Sequence, residues 1–104
     1  MQEITTKQLE DGDFLLYIYT PFCGTCSLAR AMLEKIEQVH KETIFYEMNA
    51  SLYPEFMMEN QVESVPCLFI MKNHQVKEKV YAFQSIPNIY SYLMDYKPEL
   101  FVKN

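Results

Sequence analysis

Six consecutive apolar residues, Phe14-Leu15-Leu16-Tyr17-Ile18-Tyr19, show no polar alternation. A strand with one face in water alternates, whereas a strand covered on both faces reads as a continuous apolar run. The segment therefore predicts a buried strand. Leu28, Met32, Leu33, Ile36 and Val39 then recur at helical spacing, which predicts an amphipathic helix from about position 24 or 25 to 40. Its other side carries Arg30, Glu34, Glu37 and Lys41, with opposite charges at i,i+4.

Shorter elements surround this pair. Residues 2–5 predict an edge strand, and 6–11 one or two helical turns ended by Gly12. Residues 43–48 form a second β-rich run, and Ser51 offers a cap. Pro54 suits the first turn of a short helix holding Phe56, Met57 and Met58 and ending near Asn60. Residues 67–72 are strand-like, Asn73-His74 reads as a tight turn, and 75–81 forms the second arm of a hairpin. Ser85 and Pro87 open a last helix that runs to about Tyr96 and stops before Pro98. The order is β-α-β-α-β-α-β-β-α. Strands alternating with helices predict an α/β fold, a central sheet sandwiched by helices.

Composition narrows the functional classes. The 104 residues suit a single domain over 1–104, with enough length for a core of its own. A net charge of −5 leaves no basic patch to neutralise phosphates, which argues against nucleic acid. No signal peptide, lipidation motif or apolar run of membrane-spanning length is visible. Three cysteines, only two of them close in sequence, suit a reducing compartment with one reactive pair and one leftover thiol. The expected location is the cytoplasm, with no membrane association.

That pair is Cys23 and Cys26, in Phe22-Cys23-Gly24-Thr25-Cys26. It lies where the predicted strand hands over to the long helix. Free backbone N–H groups and the positive end of the helix dipole stabilise an anion there. A thiolate is both nucleophile and metal ligand, so the position suits either chemistry. Zinc asks for four ligands, and Cys67, His40 and His74 are not spaced as a second pair. A structural disulfide across so small a loop would remove little unfolded-state entropy. The strand-turn-helix setting favours a redox dithiol.

With Val65-Pro66 about forty residues later, followed by a hairpin and a closing helix, the chain resembles the thioredoxin family over essentially its full length. The resemblance implies a thioredoxin-like fold, a mixed four- to five-stranded sheet flanked by four helices. It also implies a cis peptide bond before Pro66, facing the dithiol. Cys23 would attack a substrate disulfide, and Cys26 would resolve the mixed disulfide, leaving a redox-active Cys23–Cys26 bond. Phe22, Val65 and Pro66 would meet the substrate, the backbone of Val65 pairing with an extended chain. No bound cofactor or metal is expected. The partners implied are disulfide-containing proteins and a reductase that regenerates the dithiol, and the protein is expected to be a monomer.

Several positions depart from the family pattern. Phe22 stands for the usual tryptophan, Gly24-Thr25 for Gly-Pro, and Ala31 for the proline that kinks the long helix. The Thr25 hydroxyl either donates to the thiolate or caps the helix. Tyr17 replaces the buried aspartate beneath the second cysteine, and Glu47 replaces the lysine that accompanies it. Glu47 is thus a candidate proton acceptor for Cys26, against the reading of a solvated strand carboxylate. Tyr81 replaces a small groove residue, so Phe22, Ala50, Val65 and Tyr81 should form a narrowed apolar groove. Cys67 reads as a packed strand cysteine, the alternative being a third reactive thiol or a ligand. Two rival functions stand beside disulfide reduction: a metal or iron–sulfur site built on Cys23 and Cys26, and a non-catalytic binding module.

Overall fold

The structure, a computed structural model, describes residues 1–102. Five strands, β1 (Gln2–Glu3), β2 (Phe14–Tyr19), β3 (Tyr46–Asn49), β4 (Cys67–Lys72) and β5 (Gln75–Val80), form one sheet in the order β1-β3-β2-β4-β5. β1 and β2 run parallel to β3, while β4 is antiparallel to both β2 and β5. The helices are α1 (Thr6–Asp11), α2 (Gly24–His40), α3 (Pro54–Glu59) and α4 (Ile86–Tyr96), with 3₁₀ turns at Ala50–Leu52 and Pro98–Phe101. The expected element order and the mixed sheet between helices are both present.

Successive residues of β2 and β4 serve opposite faces of the sheet, as the twofold period of a strand requires. Leu15, Tyr17, Leu68 and Ile70 pack with Ala29, Leu33 and Ile36 of α2 and Ile89 and Leu93 of α4. Leu16, Ile18, Cys67 and Phe69 face the other way with Ile4, Phe14 and Met48, under Leu9 of α1 and Phe56 and Met57 of α3. β2 is buried through Ile18, which explains its unbroken apolar run. Of the stripe read along α2, Leu33 and Ile36 are buried, but Leu28 and Val39 are 68% and 63% exposed. Cys26 and Ala29, not Leu28, complete the buried face.

Side chains that intercept backbone donors move several boundaries. β3 starts at Tyr46 rather than 43 because one oxygen of the Glu37 carboxylate accepts the N–H groups of Ile44 (2.9 Å) and Phe45 (3.1 Å). Its other oxygen takes the Met1 amino group at 3.2 Å. Neither Arg30–Glu34 nor Glu37–Lys41 is thus paired along the helix as i,i+4 spacing predicts. The two ion pairs among the described residues are Met1–Glu37 and Arg30–Glu47. Thr5 leaves β1 to close a capping box with Gln8 at the start of α1. Ser51 does not cap α3. It lies within the 3₁₀ turn and donates its N–H to Asn49, while α3 begins at Pro54 with no side-chain cap.

The β4–β5 turn is fastened to the α1–β2 turn. Asn73 and His74 both take positive φ, at 53° and 61°, the mirror-image turn that matches the twist of a hairpin. Asp13 Oδ1 accepts the Asn73 N–H at 2.9 Å, and Gly12 carbonyl accepts the His74 N–H at 3.1 Å. Gly12 itself sits at φ 77°, in the left-handed region, where an added Cβ would meet the His74 ring. An L-residue with a Cβ pays about 1–2 kcal/mol in that region. Gly12→Ala should lower unfolding free energy by about that amount, and Gly12→Asn by less, since asparagine tolerates left-handed backbone. Urea denaturation checks this. Part of the loss should be relieved in a His74→Ala background, which removes the ring an added Cβ would meet and leaves the backbone cost.

Candidate active site

β2 ends at Tyr19, and Thr20-Pro21-Phe22 carries the chain to Cys23, the N-cap of α2. Cys23 has extended backbone (φ −131°, ψ 107°), and its Sγ accepts the N–H of Cys26 at 3.2 Å. The sulfur thus takes the place that an oxygen usually fills at a helix start, satisfying one of the first-turn donors. Thr25 Oγ1 lies 3.5 Å from the same sulfur, so the cap belongs to Cys23 and the threonine hydroxyl faces the sulfur. Cys23 and Cys26 are joined by a disulfide with their Cα atoms 5.2 Å apart. Cys23 is half-buried, and Cys26 is only 4% exposed. The two sulfurs are therefore unequal in access.

One side of the start of α2 is apolar. The Val65–Pro66 peptide bond is cis. Val65 and Pro66 line a groove of about 390 Å³ with Thr25, Leu28, Ala29, Tyr81 and Phe83. The structure thus revises the lining expected from sequence. Phe22 is fully exposed and lies outside it, and Ala50 packs against the opposite core cluster. Leu28 and Phe83 take their places. Leu28 follows Thr25 by three residues and so shares its helix face, a cue present in the sequence. Nothing local signalled Phe83, which follows β5 and stacks edge-on against Tyr17 with ring centroids 6.2 Å apart. Tyr81 occupies the groove as expected, and its hydroxyl accepts the Glu63 N–H at 3.2 Å.

The other side is aromatic and cationic. A cavity of about 130 Å³ is lined by Tyr17, Tyr19, Thr20, Pro21, Cys23, Cys26, Ser27 and Arg30. The Tyr17 hydroxyl, fully buried, donates to the Cys26 carbonyl. Tyr17 and Tyr19 stack 10° from parallel, and the Arg30 guanidinium lies 5.3 Å and 4.8 Å from their ring centroids. Arg30 also binds Glu47 Oε1 at 2.7 Å. Burial pushes the Tyr17 phenol up to about 12, with the Arg30 charge pulling the other way. Burial lowers the pKa of Arg30, but the Glu47 hydrogen bond and charge more than offset it, leaving a net rise.

Glu47 is consequently no free strand carboxylate. It is committed to Arg30, and it is Arg30 that lines the cavity beside the two cysteines. Sequence reading placed Arg30 on a solvated helix side and missed it. The available cue was that Arg30 follows Cys26 by four residues, which puts both on one face of α2.

Cys67 is fully buried on the opposite face of the sheet from Cys26, among Ile18, Met48 and Phe69. Burial pushes its thiol up to about 12, only partly offset by the Lys79 charge and the Tyr81 hydroxyl.

A disulfide at a helix start, with one accessible and one buried sulfur, opposite a cis-proline on a mixed sheet, defines a thiol–disulfide oxidoreductase. Residues 2–95 match the thioredoxin family, and the chain belongs to that family. It is 41% identical over 90 residues to the thioredoxin-like protein YusE of Bacillus subtilis, covering 86% of this chain and 85% of that one. It is 27% identical over 78 residues to thioredoxin-1 of Saccharomyces cerevisiae, covering 75% and 76%. The fold is similar to oxidised mitochondrial thioredoxin 3 of Saccharomyces cerevisiae (TM-score 0.73, 18% identity, covering 91% and 94%). It is also similar to the thioredoxin of Plasmodium falciparum (TM-score 0.73, 13% identity, covering 92% and 99%).

The Cys67 thiol has a pKa of 9.0 when unperturbed and about 12 in the folded protein. Between those values the native state keeps a proton that the unfolded chain has released. Its contribution is complete below pH 9 and is lost as pH rises towards 12, by up to about 1.4 kcal/mol per pH unit. Stability of Cys67→Ala should therefore fall less steeply than that of the parent across this range, as urea melts at successive pH values would show. Equal slopes would remove Cys67 from the account.

Proposed function

We propose that the protein reduces protein disulfides by dithiol–disulfide exchange, with Cys23 attacking and Cys26 resolving. The observation that carries the order is the asymmetry of the pair. Cys23 is the accessible sulfur, and it already accepts an N–H from the first turn of α2. An anion at that atom gains from the same donor and from the helix dipole, which favours the thiolate. Cys26, buried one turn further along, is placed to attack Cys23 once a mixed disulfide has formed.

The reaction balances without a bound cofactor. Cys23 thiolate forms a bond to one substrate sulfur, and the other leaves as a thiolate that takes a proton from water. Cys26 thiolate then bonds to Cys23, and the second substrate sulfur leaves. The dithiol is oxidised to a disulfide and the substrate disulfide is reduced. A reductase would return two electrons to the pair. In this reading Val65 and Pro66 offer an extended substrate one backbone edge in the groove, while Phe22 stands beside it as an exposed apolar contact. The protein acts as a cytoplasmic monomer, without nucleic acid or membrane.

A metal or iron–sulfur reading built on Cys23 and Cys26 would have to draw its further ligands from a second copy of the chain. Cys67 lies on the other face of the sheet, and no three His, Cys, Asp or Glu side chains among the described residues converge as a metal site.

The order of attack is tested with single serine variants and a disulfide-bonded protein such as insulin. The parent should reduce it with dithiothreitol as electron source. Cys26→Ser should accumulate a mixed disulfide through Cys23, visible by non-reducing electrophoresis, and Cys23→Ser should accumulate none. Accumulation through Cys26 instead would reverse the assignment, and an inert parent would favour a binding module.

A further inference from the structure

The cavity beside the dithiol holds no free base. Its lining offers tyrosine, serine and threonine hydroxyls and one charged group, the Arg30 guanidinium. Guanidinium carries five donors and cannot accept a proton at ordinary pH. The resolving sulfur therefore needs a different kind of help from the proton acceptor expected at Glu47.

We propose that Arg30 is a positioning residue that holds a positive charge next to the Cys26 thiolate, so that its proton leaves to water and the reduced, ionised dithiol is stabilised. This rests on the dithiol-exchange reading above, and it assigns to α2 a charge that acts in the second half of the reaction. Cys26 and Arg30 are separated by four residues on one helix, which sets their Cβ atoms about 5–6 Å apart. Both line the same small cavity. Across one small cavity near a protein surface, a unit charge acts on an anion with an effect of several-fold or more.

Three contacts fix the guanidinium. Glu47 holds one edge at 2.7 Å, and the stacked rings of Tyr17 and Tyr19 hold its face. Tyr17 in turn is tied to the Cys26 carbonyl by its hydroxyl, so the same ring locates both the charge and the helix turn that bears the thiol. The charged and titratable groups around this cluster are Arg30 and Glu34 of α2, Glu47 of β3, and Tyr17 and Tyr19 of β2. The two carboxylates temper the field at the sulfur, but only Arg30 reaches the cavity wall.

In the resolving step Cys26 Sγ, already a thiolate, bonds to Cys23 Sγ. The bond from Cys23 to the substrate sulfur breaks, and the substrate leaves as a thiolate that is protonated by water. Arg30 gains and loses nothing in this step. Its effect is on the fraction of Cys26 ready to attack, and on the balance between reduced and oxidised pair.

The test uses the full chain carrying Cys23→Ser, in which Cys26 is the titrating site thiol and Cys67 stays protonated. Ultraviolet thiolate absorbance is followed with pH for Arg30, Arg30→Met, Arg30→Gln and Arg30→Lys. Removing the charge should displace the Cys26 titration to higher pH, with about threefold to tenfold less thiolate at a given pH below the midpoint. Arg30→Lys should recover part of the loss. In the two-cysteine protein, the reduction potential against glutathione should become more negative in Arg30→Met and Arg30→Gln and return part-way in Arg30→Lys. A Cys26 titration that stays put in both neutral variants, or that lysine fails to recover, would overturn the proposal. Neither readout uses a protein substrate, so failure of insulin reduction would tell against the function and leave this measurement standing.

Discussion

The position of β2 is the constraint on which the site depends. The strand is hydrogen-bonded along both edges, to β3 and to β4, and both of its faces are buried. A one-residue slip would exchange Tyr17 with Leu16 and Ile18 between the two core faces, so register is held from four directions at once. The chain leaves the end of this strand and enters α2 within four residues. That fixed exit puts Cys23 at the helix start and turns Cys26 inward onto Tyr17.

The start of α2 consequently separates two environments. Towards the cis-proline lies an apolar groove floored by Ala29 and flanked by Leu28, Tyr81 and Phe83. On the other side lies the small cavity with hydroxyls and Arg30. Water can share that space with the sulfurs, since a liquid water needs only about 30 Å³. The two spaces share no lining residue: Thr25, Leu28 and Ala29 of α2 face the groove, whereas Cys26, Ser27 and Arg30 face the cavity. The ring of Tyr17 stands where the family pattern has a carboxylate, and the charge beside the second sulfur is positive.

Fold and dithiol were legible because they depend on local order. The unbroken apolar run predicts a doubly covered strand. Gly12 and the Asn73-His74 pair mark turns that adopt positive φ, and the two cysteines stand at a strand-to-helix junction. Boundaries were less legible wherever a distant side chain competes for backbone donors. Glu37 delays β3 by taking the N–H groups of Ile44 and Phe45 from across the loop. Spacing along α2 could only propose partners on the same helix.

What the sequence determined by itself was the alternation of elements, the burial of β2 and the chemistry available at Cys23 and Cys26. Those follow from periodicity and from residue type at a helix terminus. Tertiary structure alone decided which side chains share a cavity. Arg30 turns from Glu34 to Glu47 because folding brings β3 beside β2, where two tyrosine rings lie open to a planar cation. Cys67 faces away from the dithiol because the strand register sets Leu68, not Cys67, on the side of α2. A chain read in one dimension lists the charges and thiols, but only the packed sheet assigns each of them a neighbour.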